Sequence, residues 1–336
     1  MNYAHVSAEL LAEEELPGYG RRSGRYDSFL VRDRACWLVS ATGDEPLVGR
    51  VATETSRLFA EQRRWPAPRP GQGHGFASPL PDGGLATVDN GLVTVYDGAS
   101  GVRWLHEFDP WSDSDNASAS CVADASGRRL LVTTTGDLGA DGSYAGDLCV
   151  ALDLADGRPV TETVLPSATA GYVFQQSLTD PAQLFLDALM GDTFHSLSVT
   201  LRDDILRVEN IGVENDPFGG LALNGAVIKT DVGGGWLSRW EEGQEDIVTE
   251  AEDVLPEGVR FVGHRPGFLD KNRVLAAASE EDDATANRHL VLDAHTLRPV
   301  AQLDYPGTAS QDPLALGDGT WLTASGDVVR RWRVAD

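Results

Sequence analysis

Two histidines stand where an imidazole has chemistry open to it. His74 in "GQGHGF" and His264 in "VGHRPGF" each follow a glycine at the start of an apolar run. Imidazole titrates near neutral pH, so either one beside a carboxylate makes an acid–base pair suited to a lyase or a hydrolase. A second group is acidic. "DPWSDSDN" brings Asp109, Trp111, Asp113 and Asp115 close together, "GDLGADGSYAGD" supplies Asp137, Asp141, Tyr144 and Asp147, and "EEDDATANR" supplies Glu280, Glu281, Asp282 and Asp283. An aromatic ring among carboxylates is an anchor for a cationic or aromatic ligand. The binding residues expected on this ground are Asp109, Trp111, Asp113, Asp115, Tyr144 and Asp282.

Other chemistries find no spacing to support them. Clustered aspartates suit calcium, but "DPWSDSDN" lacks the mid-loop glycine and distal glutamate of a helix–loop–helix calcium site, so no metal is assigned. "VGGGW" has neither Lys-Ser/Thr nor a strand-to-helix context, and no nucleotide cofactor is expected. Cys36, Cys121 and Cys149 are odd in number and far apart, which argues against a disulfide framework and for buried small hydrophobes.

The elements that must position these residues are bounded by composition. The 336 residues are 41% hydrophobic and carry a net charge of −25, enough apolar material for a sizeable core and a surface that repels nucleic-acid phosphates and anionic lipid. Such a surface favours a protein or peptide partner of basic character. Of 27 basic residues only Lys229 and Lys271 are lysines, a bias that suggests a GC-rich bacterial genome. The first residues show neither a basic start nor a long apolar run, and a cytoplasmic location is the expectation.

A repeat organises the whole length. An apolar run ending in Asp97 and "GASG" recurs at Asp153 and Asp293, with weaker copies at Ser40 and near Thr200, Trp240 and Arg333. The spacing of roughly 49 residues is that of propeller blades. Each unit divides into short strands: "GFASPL", "LATVD", "LVTVYD" and "VRWLHEF" are separated by "PDGG", "NG" and "GASG", all strong hairpin signals. The fold class read from this is all-β, one seven-bladed β-propeller over 1–336 with four-stranded antiparallel blades. The final unit shows only three strands, so an N-terminal segment is expected to supply the fourth and close the ring. "SAELLAEEEL" reads equally as a helix, since Ser7 is a plausible N-cap. Residues 53–72 fit no strand and read as a long inter-blade connection.

The "GH", "PDGG" and "VTVYDGASG" of the second unit resemble the WD40 repeat, with Tyr96-Asp97 where that family has Trp-Asp. "YDGASGVRW" also resembles the quinoprotein-like repeat, but only Trp104 falls near its tryptophan position, and no quinone or other cofactor is assigned. The WD40 resemblance implies an interaction platform. The loops entering each inner strand and those between second and third strands then share one face, and His74 and the acidic loops fall on it. The reading is a protein- or peptide-binding module with an acidic loop face. The alternative is a lyase or hydrolase of specialised metabolism, taking a small molecule in the central funnel.

Overall fold

The aspartates of the repeat are turn caps. Asp97 Oδ1 accepts the amides of Ala99 and Gly101, both at 2.8 Å. Asp153 Oδ1 accepts that of Ala155 at 3.0 Å, and Asp293 Oδ1 those of His295 at 3.0 Å and Thr296 at 2.9 Å. A short carboxylate that bonds the backbone two residues on folds the hairpin without help from the core. "PDGG" is built the same way: Asp82 Oδ1 accepts the Gly84 amide at 3.0 Å, and Gly83 takes φ +81°.

The computed structural model describes residues 3–16, 28–40, 47–66, 76–112, 118–137, 143–168, 171–190, 193–211, 219–231, 233–280, 288–307 and 313–335. Its strands are β1 (Ala4–Glu15), β2 (Ser28–Arg32), β3 (Ala35–Ser40), β4 (Leu47–Val51), β5 (Phe59–Arg64), β6 (Phe76–Pro79), β7 (Leu85–Asp89), β8 (Leu92–Tyr96) and β9 (Val102–Glu107). There follow β10 (Cys121–Ala123), β11 (Arg129–Thr134), β12 (Leu148–Asp153), β13 (Pro159–Val164), β14 (Gly171–Gln176), β15 (Leu184–Met190), β16 (Thr193–Arg202), β17 (Ile205–Asn210), β18 (Ala226–Thr230), β19 (Trp236–Glu241) and β20 (Ile247–Glu250). After the single turn of helix α1 (Ala251–Val254) come β21 (Val259–Asp270), β22 (Arg273–Glu280), β23 (Arg288–Asp293), β24 (Pro299–Asp304), β25 (Leu314–Ala315), β26 (Thr320–Ser325) and β27 (Val328–Val334).

Strands pair with their sequence neighbours into antiparallel sheets: β2 to β5, β6 to β9, β10 to β13, β14 to β17, β18 to β20, and β21 to β24. The exception is β1. Ala4–Ser7 run parallel to β24 and Ala8–Glu15 antiparallel to β27, so one strand joins the β21–β24 sheet to the β25–β27 group. The segment that read as either strand or helix is therefore a strand. Its acidic residues meet the arginines of β27: Glu9 with Arg333 and Glu13 with Arg330, both at 2.8 Å.

Successive sheets bury their apolar faces against each other. Leu30, Val39, Val48 and Trp65 of the first sheet and its exit pack on Ala77, Leu85 and Tyr96 of the second. Leu38, Val51 and Phe59 of that first sheet pack on Leu322 and Val329 of the last group. One clasp recurs at the other sheet end. Arg63 in β5 donates to Gly98 O and Ser100 Oγ, Trp104 in β9 donates to Leu154 O at 2.9 Å, and Thr249 in β20 donates to Thr296 O at 3.0 Å. In each case a late strand of one sheet holds a third-to-fourth-strand turn of the next. Gly157 lies under the second of these clasps, where a Cβ would stand 2.7 Å from the Trp104 ring.

Two sequence expectations are corrected. The span 53–72 is not a bare connection, because β5 lies within it and pairs with β4. Only Phe59 of that strand is fully buried, and "AEQRR" carries no alternation because an outer strand has little core to face. The first repeat copy is also out of phase: Ser40 ends the second strand of its sheet, and the third strand is β4.

Candidate functional site

Antiparallel sheets send alternate connections to opposite ends. One end collects the connections between second and third strands and those between sheets, and two of these meet the first strand of the next sheet at Asp147. The Trp111 indole N–H donates to Asp147 Oδ1 at 2.9 Å, the Tyr172 hydroxyl donates to Oδ2 at 2.6 Å, and the Tyr144 hydroxyl donates to Oδ1. Trp111 comes from the connection after β9, Tyr144 and Asp147 from that between β11 and β12, and Tyr172 from β14 of the next sheet. Since the Tyr172 proton goes to Asp147, Ser167 Oγ is the donor in its 2.9 Å bond to Tyr172. Asp147 and Tyr172 are wholly buried. A buried carboxylate is tolerable here because N–H and O–H dipoles surround it.

Further bonds tie the loops to this centre. Asn90 Oδ1 accepts the Trp111 amide at 2.7 Å, and Asn90 Nδ2 donates to Trp111 O at 3.3 Å. Thr135 Oγ1 donates to Asp109 O, and the Gly136 amide donates to the Tyr144 hydroxyl at 3.1 Å. Phe108 and Tyr172 flank the Trp111 ring at centroid distances of 5.7 and 6.5 Å.

The expected binding residues divide accordingly. Asp109 is exposed, and Tyr144 is 37% exposed with its hydroxyl directed inward. Trp111 is not an exposed anchor. It is 4% exposed and its indole N–H is committed to Asp147, so its ring is covered by the protein and presents no open face to a ligand. Asp147 is likewise no rim charge. Asp113, Asp115, Asp282 and His74 lie outside the described residues. His264 falls inside β21, in the stretch between Val262 and Gly267 where the pairing with β22 shifts register, and its side chain is outside the described residues. Glu280, at the end of β22, is paired with Arg288 at 2.6 Å.

The described thiols and the two phenols at Asp147 are held in their protonated forms. Burial pushes the thiols of Cys36, Cys121 and Cys149 up to about 12. Burial, with the Asp147 hydrogen bond behind it, pushes the Tyr144 phenol up to about 12. Burial and the Asp147 charge raise Tyr172 as well. These groups are poor nucleophiles and poor bases near neutral pH. Among the described residues, no three of His, Cys, Asp or Glu are grouped to hold a metal ion.

At the opposite end of the sheets lies a feature the sequence did not announce. Arg32, the last residue of β2, is 3% exposed. Its Nε donates to Ser78 Oγ at 2.9 Å, and its Nη2 to Cys121 O at 3.2 Å and Phe174 O at 3.1 Å. The next amide, Asp33 N, donates to Gln176 Oε1 at 2.7 Å. One guanidinium thus joins the first strands of four successive sheets. Burial lowers it to about 10, so it stays charged at neutral pH, facing only hydroxyl and carbonyl oxygens.

No protein-family model matches the chain, and no curated protein does. Solved structures resemble it at low identity. Virginiamycin B lyase from Staphylococcus aureus superposes with TM-score 0.56 at 11% identity, over 98% of this chain and all (100%) of the lyase. The Cps50 (Swd1) β-propeller domain from Myceliophteria thermophila gives 0.54 at 10%, over 98% and 100%. A prolyl endopeptidase gives 0.56 at 14% over 92% of this chain, which spans only 49% of that enzyme. The chain has the β-propeller fold.

Proposed function

We propose that the chain is a seven-bladed ring, closed where β1 becomes the outer strand beside β27, and that it is a protein- or peptide-binding module using its acidic loop face. The ring reading is supported by the packing of Leu38, Val51 and Phe59 on Leu322 and Val329, which joins the last strand group to the first. The observation that carries the binding reading is the Asp147 centre. It fixes two loops and the following blade beneath Asp109, giving that exposed carboxylate a rigid base. Interfaces gain affinity when the contacting loops are held in place beforehand. Negative charge on that face selects a basic partner and speeds its approach.

A catalytic site in the central funnel is the second reading. It rests on His74 and His264, and the virginiamycin B lyase likeness supports only its fold. Arg32 counts against a passage through the axis, since it draws four inner strands together.

Affinity enrichment followed by cross-linking mass spectrometry tests the binding reading. The wild type is compared with Asp109→Lys/Asp113→Lys/Asp115→Lys, both checked for an unchanged thermal melt. A partner held by the wild type and released by the variant, cross-linked near residue 109, is the expected outcome. Retention of every partner by the variant would sink the acidic-face reading.

A further inference from the structure

Adjacent sheets are joined by apolar contact, and one junction has little of it. The sheets from β6 to β17 share a single cluster that runs through Val95, Leu131, Leu152 and Leu186. The β18–β20 and β21–β24 sheets share another, through Ile228, Leu237, Phe261 and Leu292. Where β14–β17 meets β18–β20, the cluster is Phe185, Ala222 and Val227, with Ile211 and Trp240 half-buried beside them. Burial of apolar surface is what holds sheet to sheet, so this junction is the weakly held one.

The rest of its interface is polar. Alternate residues of a strand share a face. Beside Phe185 on that face stand Asp187 and its cross-strand neighbour Ser196, and beside Val227 stand Lys229 and its cross-strand neighbour Ser238. All four are buried. Asp187 accepts from Ser196 Oγ at 3.2 Å and from Gln175 Nε2 at 3.3 Å, and Lys229 donates to Asp246 at 2.9 Å. Ser238 Oγ has no hydrogen-bond partner among the described residues. Polar groups regain hydration when water enters, so such an interface costs less to open than an apolar one.

The two edges of the junction differ. At the third-to-fourth-strand turn of the β18–β20 sheet, a Cβ on Gly243 would meet nothing within 4 Å among the described residues, whereas one on Gly157 meets the clasping Trp104 ring. The inner edge is tied. The Leu178 amide donates to Ala222 O at 3.1 Å, the Asn224 amide to Thr179 Oγ1 at 2.8 Å, and Gln175 Nε2 to Gly219 O at 3.1 Å.

We propose that the propeller carries a built-in opening at this junction: β14–β17 and β18–β20 part at their outer edges and pivot on the inner bonds, and neither sheet unfolds. The device does not depend on the binding reading. The Asp147 centre lies wholly on the β14–β17 side and stays whole when the junction opens.

Maleimide labelling of the full chain, read by mass spectrometry, tests it. Cys121 and Cys149 are internal references, since both are buried in the large cluster. Ser238→Cys places a thiol in the junction where the lost hydroxyl had no partner. Ala226→Cys places one on the opposite face of the same sheet, against β21–β24. The Ser238→Cys thiol should react at least about tenfold faster than Cys149, at a rate flat in low urea, because parting exposes little surface. The Ala226→Cys thiol should react within about twofold of the Cys149 rate, which follows global unfolding. A substitution that merely weakens the fold speeds Cys121 and Cys149 as well, so the ratio within one molecule reads the junction. Equal rates at Ser238→Cys and Cys149 overturn the proposal. So does an Ala226→Cys thiol as fast as the Ser238→Cys one, because the sheet would then be unfolding and not parting from its neighbour.

Discussion

Replacing Tyr172 by Phe removes one buried hydroxyl and nothing else. Asp147 loses the donor at 2.6 Å, and Ser167 Oγ loses its acceptor at 2.9 Å. Both Asp147 and Tyr172 are 0% exposed, so water cannot take the vacated place without repacking. A hydrogen bond to a charged group is worth about 1.5–3 kcal/mol, and a neutral one about 1 kcal/mol. The substitution should therefore destabilise by about 3 kcal/mol. With an unfolding entropy of about 2.1 cal/mol/K per residue, that lowers Tm by about 4 °C for a chain of 336 residues melting as one unit. Tyr144→Phe removes a bond to the same carboxylate from a residue 37% exposed, where water substitutes, and should cost no more than about 1 kcal/mol. Urea unfolding of both variants, followed by tryptophan fluorescence, measures the difference. A double-mutant cycle with Asp147→Asn then asks whether the charge is what demands the donors. If Tyr172→Phe costs no more than Tyr144→Phe, or the cycle shows no coupling, the Asp147 centre does not hold the loops.

Three further outcomes are expected. Stability should fall on the alkaline side. Thiols ordinarily near 9 stand at about 12 in Cys36, Cys121 and Cys149, as do phenols ordinarily near 10 in Tyr96 and Tyr144. The unfolded chain thus binds fewer protons than the folded one between pH 9 and 12, so the stabilisation is whole below that window and drains away through it; a pH series of thermal melts checks the sign. Gly157→Ala adds a Cβ at φ +77° that meets the Trp104 ring, and should destabilise by about 1–3 kcal/mol in urea titration, whereas Gly243→Ala, with open space around it at φ +75°, should lose only about 1 kcal/mol. Arg32→Met removes the guanidinium that the carbonyls of Cys121 and Phe174 accept from and should cost more than about 3 kcal/mol by the same measurement; a neutral result would show that the guanidinium does not hold these strands together.

The hairpins were legible because their signals are local. Asp97 and "GASG" build a turn from four or five consecutive residues, and any copy of that string folds alike. The apolar runs of β7, β8, β11 and β12 were legible because strands covered on both faces need apolar residues throughout. What failed was outer and long-range. β5 is polar because only one of its faces touches anything, so its composition matches a loop. Trp111 and Asp147 read as surface residues since their neighbours in sequence are acidic, while their partners in space come from three separate stretches of chain. Arg32 has no local signature, because its acceptors lie on β6, β10 and β14. The N-terminal segment was expected to complete the last unit, and a signal deciding strand against helix was available: "AELLAEEE" and "VVRRWRV" are complementary in charge and both carry strand-compatible residues.

That pairing has a consequence for how the chain acquires its shape. β1 is made well before both of its partners, β24 and β27, which lie some 300 residues downstream; the Glu13–Arg330 bond alone spans 317. Until those partners emerge, β1 has no edge to join, while each hairpin between them finds its neighbour within seconds of synthesis. Assembly therefore proceeds along these strands and finishes back at β1. An open intermediate, complete but for one strand and exposing the free edges of β24 and β27, is the species in which a chaperone or a second copy competes with β1.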